Sequence, residues 1–398
     1  MRAKLLKTGA IDLFRKASQL HHSTLLAGPD ERVVCIGISR IFTIEEGLSC
    51  LDPVRADCKS HRLLVDDLQK QHIFAAAIPF DPWSQFDIIV PEVAILFSQD
   101  GQIAITSSRY SNYEVRGMLD KILEVPLTPI EACKSAPTAI YAGPSPEFRS
   151  RVNRALEVIS TKELAKVVLS KSLNLTMSEL PTAEELLGHL AVNRPNAYLF
   201  SIGGYVGASP ELVLQSKGRQ LFSRPLAGTA AAADRKALIV SHKDNQEHRI
   251  VVRQIIHRLS LAGILADSQR HPNVSSFGEI VHLGSWVTGR QSSPKTLSSI
   301  ELAARIFPTA AINGEPYLEA LQYILSSEVE RGLYGGLVGY QKHNGDGSWV
   351  LNIRSTRLTP DQLEIRAGVG IIHGSDPIQE DEEATAKINS IISSILAM

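Results

Sequence analysis

Asp244 and Glu247 stand three apart in a stretch patterned as a helix. So do Glu380 and Glu383, with Lys387 one turn beyond Glu383. Residues at that spacing share a helix face. If the two helices front one cleft, their oxygens suit a hard divalent cation such as magnesium, which takes one or two carboxylates and keeps several waters. The same spacing also describes an ordinary solvated helix face. In AKVVLSKSLNL (165–175) a strand puts Lys166, Val168 and Ser170 on one face. A lysine partly buried beside Val168 suits a general base; an edge-strand lysine that blocks aggregation is the plainer alternative. Glu211 follows the corner Gly207-Ala208-Ser209-Pro210. A carboxyl fixed at a rigid corner can act as a general acid, while a turn glutamate in water is the commoner case.

Three further features point to an anionic ligand. RAGVGIIHGSDP (366–377) ends on a helix start, and its glycines leave backbone N–H groups open to a carboxylate or phosphate. A tight turn explains it equally well. It is not a dinucleotide fingerprint, because His373 stands where Gly368-x-Gly370 would need a third glycine. Arg354, in SWVLNIRSTRL (348–358), shares a strand face with Val350 and Asn352. Facing inward, it would be a fork for a carboxylate; facing outward, it is a surface arginine. His282, in the apolar EIVHLGSWVTG (279–289), is either a site residue or a hydrogen-bonded core histidine. Together these groups describe a cleft suited to a small anionic substrate.

Elements must position them. The 398 residues allow two or three domains or one large two-layer unit. Lys and Arg number 41 against 42 Asp and Glu, which argues against a nucleic-acid-binding role. No run of 18 apolar residues suggests a membrane span. The opening MRAKLLKTGAIDLFRK has charges too frequent for a secretory leader. The four cysteines, Cys35, Cys50, Cys58 and Cys133, form no CxxC, so a reducing cytoplasm is the simplest home. Helical spacing marks 7–22, 146–160, 181–193, 242–266, 298–305, 316–327 and a last helix capped by Asp376. Strand patterns mark 31–44, 72–80, 86–97, 101–108, several stretches in 196–228, 279–289, 333–341, 348–358 and 362–372, with a hairpin turn at Asp100-Gly101. Strands in hairpins with helices between favour a mixed α+β layout with antiparallel sheets. The stretch 126–146 is the candidate boundary between an N-terminal subdomain (1–140) and a C-terminal region (141–398), which can still form one compact unit.

The segments AIPFDP (77–82), KVVLS (166–170), GASPELVL (207–214), SRPLAGT (223–229), KDNQEH (243–248), VHL (281–283), FPTAAINGEP (307–316), YGGLVGY (334–340), IRSTRL (353–358) and AGVGI (367–371) resemble, in order, the chorismate-utilising enzyme family. The resemblance runs from about residue 70 to the end. It implies two largely antiparallel β-sheets packed together with helices on the outside. It also implies chorismate as substrate and Mg²⁺ as cofactor. Lys166 would be the base that activates water for attack at C2, and Glu211 the acid that protonates the departing C4 hydroxyl. Glu247 and Glu383 would hold the metal, helped by Asp244 and Glu380. Gly228, Thr229, His282, Arg354, Gly368 and Lys387 would line or hold the substrate.

Branch features narrow this further. Gly314-Glu315-Pro316-Tyr317 departs from the Gly-Ala-Pro-Lys run of ammonia-using members, so no glutaminase subunit is expected. Ala311 stands where pyruvate-eliminating members carry threonine. The resemblance is strongest to isochorismate synthases of catechol-siderophore pathways, with a salicylate synthase, a menaquinone-pathway enzyme, an ammonia-dependent subunit and a non-catalytic chorismate binder as alternatives. The histidine expected before Pro308 is Phe307 here. A monomer is expected.

Overall fold

The computed structural model describes residues 1–51, 67–68, 70–127, 142–177, 179–293 and 296–396. Most of the 126–146 stretch lies outside them.

Two large antiparallel sheets carry the architecture. The first runs in the order Gly314–Glu315, Lys166–Leu175, Leu363–Ile372, Ser355–Leu358, Tyr205–Ser209, Tyr198–Ile202, Ser23–Ala27, Glu31–Ile36, Val93–Ser98, Ile103–Ser107. The second runs Leu265–Ser268, Val287–Arg290, Gln220–Arg224, Leu212–Lys217, Gly347–Leu351, Leu337–Lys342, Ile73–Ile78, Phe86–Val90, Arg40–Ile44. A small third sheet joins Leu226–Ala231, Ile280–Gly284 and Asn273–Phe277. The early and late parts of the chain interleave: Ser23–Ala27 pairs with Tyr198–Ile202, and Ile73–Ile78 with Leu337–Lys342.

The inner faces of the two large sheets meet in an apolar cluster that includes Leu26, Val33, Ala75, Phe200, Leu212 and Val338. Helices cover the outer faces. Leu13, Leu119, Leu187 and Ile388, each on a different helix, pack in one outer cluster; Phe148, Val251, Leu302 and Leu321 pack in the other. Several helix starts follow the sequence signals. Ser145 accepts the N–H of Phe148 at 3.2 Å ahead of Pro146. The Asp376 carboxylate accepts the N–H groups of Ile378 and Gln379. Side-chain oxygens at these positions satisfy amides that have no partner within the helix.

Some boundaries move. The opening helix spans Arg2–Ala17, not 7–22, and is interrupted at Gly9, whose φ is 75°. The helix expected over 242–266 stops at Leu261; Gly263 turns the chain at φ 70° into strand Leu265–Ser268. Strand Ser23–Ala27 and helix Asn112–Glu124 were not anticipated, although Ser111 and Glu114 form a capping box for the latter. The stretches 31–44, 86–97, 279–289 and 348–358 each read as one strand but form two, in different sheets. In every case a short corner carries the chain from one layer to another. Arg354 is therefore not a strand residue. It sits in the corner between Gly347–Leu351 and Ser355–Leu358, with φ 54°.

Trp349 anchors the second sheet. It is fully buried, and its indole N–H donates to Ser299 Oγ at 3.1 Å. Replacing it by alanine removes a large packed side chain and leaves that hydroxyl without its donor. Trp349→Ala is expected to lower stability by about 3–5 kcal/mol, measured by urea unfolding followed through far-UV dichroism.

Candidate active site

A cleft lies where the large sheets meet the small one. Glu211, Gly228, Thr229, Glu247, His282, Ala311, Arg354, Gly368 and Lys387 all line it. Nine residues expected from sequence, scattered over 177 positions, are thus brought together. Lys166 lies one layer deeper, behind Glu247 and Gly370. Asp244, Glu380 and Glu383 line an adjoining outer groove, which shares Thr229 with the cleft.

Lys166 is completely buried. Its ammonium nitrogen lies 3.0 Å from Glu247 Oε1, at an angle that makes no hydrogen bond, and it has no other polar partner among the described residues. Burial opposes ionisation of Glu247, but Lys166, joined by Lys387 and Lys243, outweighs it and the carboxyl is held below its usual range. The other oxygen of Glu247 accepts the N–H of Gly228 at 3.2 Å. Glu211 behaves oppositely. It is 3% exposed, and burial drives its pKa up to about 8 against the pull of Lys166. At neutral pH it carries its proton, the state a general acid needs. The structure thus settles the turn-glutamate alternative: this corner is inside the protein.

The opposite wall is cationic. Arg354 NH2 donates to His282 Nε2 at 3.0 Å, and His282 Nδ1 lies 3.1 Å from Thr229 Oγ1. A guanidinium can only donate, so Nε2 accepts and Nδ1 carries the ring proton. Burial, with Arg354 and Lys387 nearby, pushes the His282 pKa well below its usual value, so the ring is neutral. Burial also lowers Arg354 to about 10, which leaves it cationic at neutral pH. Its NH1 has no partner among the described residues, a buried donor at the wall of the cleft. Such a group is costly unless something anionic meets it. Lys387 donates to Gly368 O at 2.9 Å and pairs with Glu383 at 2.6 Å.

The carboxylates of the two helices face one another across the outer groove. Lys243 pairs with Glu380 at 2.5 Å, and Asp244 bonds the Ser241 hydroxyl. Burial raises Asp244, and Glu247 and Glu383 raise it further. Burial and the neighbouring Glu383 raise Glu380 to about 7. Among the described residues no three such groups are drawn together as a ready ligand set. The chemistry nevertheless fits a hard cation: the donors are oxygens, come from two facing helices, and repel one another.

Sequence reasoning passed over several residues. Tyr334 lines the cleft and is fully buried, with its hydroxyl driven up to about 12 by burial. Gly370 also lines it; a Cβ there would lie 2.0 Å from Glu247 Oε1 and 2.9 Å from Lys166 Cε. The second glycine of Gly368-x-Gly370 is thus needed for close approach, which the motif hinted at without saying to what. Gln254 sits two turns beyond Glu247 on helix His242–Leu261. It holds the loop that carries Ala311, accepting Ala310 N–H at 2.6 Å and donating to Gly314 O at 3.0 Å. Phe307, in the place of the expected histidine, is buried in the apolar core.

The family model described as chorismate binding enzyme matches residues 79–396. The chain belongs to that family. It is 28% identical to the isochorismate synthase DhbC of Bacillus subtilis, over 95% of this chain and 96% of that protein. It is 29% identical to the isochorismate synthase EntC of Escherichia coli, over 81% of each. The structure of MenF, the menaquinone-specific isochorismate synthase of Escherichia coli, superposes with a TM-score of 0.77, covering 96% of this chain and 91% of that one at 23% identity. The mixed architecture of antiparallel sheets and outer helices is the one these enzymes share.

For a chorismate-binding enzyme, the glycine behind Glu247 is a sensitive point. Gly370→Ala is expected to fold, yet to force Glu247 and Lys166 apart. Calorimetric titration with chorismate should show affinity at least about tenfold weaker, the scale of one lost charged contact. Unchanged affinity would show that the crowding is relieved without cost.

Proposed function

We propose that this chain is an isochorismate synthase, converting chorismate to isochorismate with Mg²⁺. The observation that carries the reading is a buried amine and a carboxyl held protonated to about pH 8, set beside one cleft with an unpaired arginine donor. The reaction is an allylic displacement: a water oxygen bonds to C2, the double bond shifts, and the C4 hydroxyl departs. Lys166, as the neutral amine, takes the proton of the incoming water. Glu211 gives its proton to the leaving hydroxyl, so a water enters and a water leaves. Arg354, kept at its angle by neutral His282, grips a substrate carboxylate, and Lys387 and the Gly368 backbone border the same end. Glu247 and Glu383, with Asp244 and Glu380 beside them, are the residues that would hold the metal. When bound, Mg²⁺ supplies positive charge against a dianionic substrate.

Ala311 lines the cleft, and we take its small side chain as the mark of an enzyme that stops at isochorismate without expelling pyruvate. The reading includes a monomer acting in the cytoplasm, without a glutaminase subunit, and supplying 2,3-dihydroxybenzoate for a catechol siderophore. The likeness to DhbC over 95% of this chain, and to EntC over 81%, supports the activity.

Purified protein with chorismate and Mg²⁺ should yield isochorismate by chromatography, with no pyruvate and no need for ammonium. Salicylate with pyruvate, or turnover only with ammonium, would assign the chain to another branch. EDTA should abolish turnover and added Mg²⁺ restore it. Lys166→Ala should cost about 10²–10⁴-fold in kcat, the range of a general base. The acid must be protonated, so kcat should fall as pH rises through about 8. A rate flat to pH 10 would remove Glu211 from that role.

A further inference from the structure

The strand that carries Lys166 has a strand partner along its whole length on one side only. Leu363–Ile372 pairs with it from Leu175 to Lys166. On the other side Gly314–Glu315 pairs with Val167 and Lys166 alone, and Asn313 O accepts the Val168 N–H at 2.8 Å. Beyond that point the outward backbone groups meet side chains. Arg331 NH2 donates to Val168 O at 2.7 Å. Glu328 accepts the Ser170 N–H at 2.5 Å and the Ser170 hydroxyl at 2.8 Å. Arg151 NH2 donates to Ser170 O at 3.0 Å. Arg331 and Glu328 bond each other at 2.8 Å, and the side chains of both are 2% exposed. Arg331 NH1 also donates to Ile312 O at 2.9 Å, beside Ala311, and its guanidinium lies 4.3 Å from the Phe80 ring centroid.

We propose that the buried Arg331–Glu328 pair is a positioning device for catalysis, replacing a missing edge strand and locking the Lys166 strand to the Ala311 loop. An ion pair this deep is weak evidence for stability alone, because its desolvation offsets its attraction. What it supplies is geometry. One planar fork reaches a carbonyl two residues from the base, a carbonyl next to the cleft-lining Ala311, and a carboxylate that fixes Ser170. Lysine keeps the charge but not the fork. Neither residue lines the cleft.

The activity arm of the test rests on the isochorismate synthase reading; the exchange arm does not. In Arg331→Lys, kcat for isochorismate formation should drop about 100-fold, the cost of a misplacement near 1 Å. KM for chorismate should stay within about threefold, because the residues that bind substrate are untouched. Guanidinium ion added to Arg331→Ala should recover part of kcat. Amide hydrogen exchange, read on the ligand-free protein, should rise in peptides covering 166–171 and 309–314 and stay unchanged across 23–36. Ser170→Ala, which removes one hydroxyl and keeps the fold, should give a smaller change of the same kind. A kcat within threefold of the parent, or exchange that does not change in those two peptides, overturns the proposal. If the parent protein makes no isochorismate, the functional reading fails and the exchange pattern alone decides the clamp.

Discussion

The site depends on two chain crossovers that run side by side. At one, the chain leaves strand Tyr205–Ser209 of the first sheet and enters Leu212–Lys217 of the second. At the other, it leaves Gly347–Leu351 of the second and enters Ser355–Leu358 of the first. Each stitches the other: Ala208 N–H donates to Arg354 O at 3.1 Å, and Leu351 N–H to Glu211 O at 3.1 Å. Glu211 and Arg354 therefore lie on adjacent corners whose backbone bonds fix both. Corners in a packed sandwich point neither to solvent nor straight into a sheet. They open onto the gap where the layers part, and there the cleft lies. Arg354 sits at positive φ, a conformation that costs a non-glycine residue of order 1–3 kcal/mol and persists only when its surroundings impose it.

Electrostatics follow from that placement. The protein buries Lys166, Arg354, Glu211, Glu247 and His282 close together, which would be ruinous if each sought its own charge. The arrangement divides the work instead. Glu247 stays ionised against Lys166, whereas Glu211 gives up its charge and keeps its proton. His282 is neutral and spends its two nitrogens on Arg354 and Thr229. Groups whose environments push their pKa values apart are what proton transfer in two directions requires. The positive charge left over at Arg354 matches a carboxylate-bearing substrate, and the acidic groove outside has oxygens of the kind that suit a hard cation. The cleft and the acidic groove share a border at Thr229.

Much of this was legible in residue order, and the failures have a common cause. Ser145-Pro146, Thr182 with Glu185, and Asp376 start helices where the sequence placed them, because capping is a local hydrogen-bond problem. Strand identity was legible too, but not which sheet a strand joins. Alternation continues straight through Ile36–Arg40, Val90–Val93 and Leu351–Ser355, since both layers bury their inner faces. A two-residue period carries no mark of a change of layer. The same gap hid the environment of Arg354, which lines the cleft from a corner and not from a strand. Lys166, read as partly buried or as an edge-strand lysine, is completely buried.

Gly370 shows a second limit. A glycine in a strand signals that something approaches closely, and Gly368-x-Gly370 was read as an open backbone for an anion. The approaching groups are the protein's own, Glu247 and Lys166, delivered from a helix and from the neighbouring strand. Gly370 pairs with Val168 in the ladder, two residues from Lys166. The glycine is therefore the space in which an ion pair from two other elements is assembled. No one-dimensional pattern can state that, because the partner lies 123 positions away and meets it only after both the sheet and the helix have formed. The clustering of Lys166, its counter-ion and the missing side chain at one place is a consequence of tertiary structure written as a single absent methyl group.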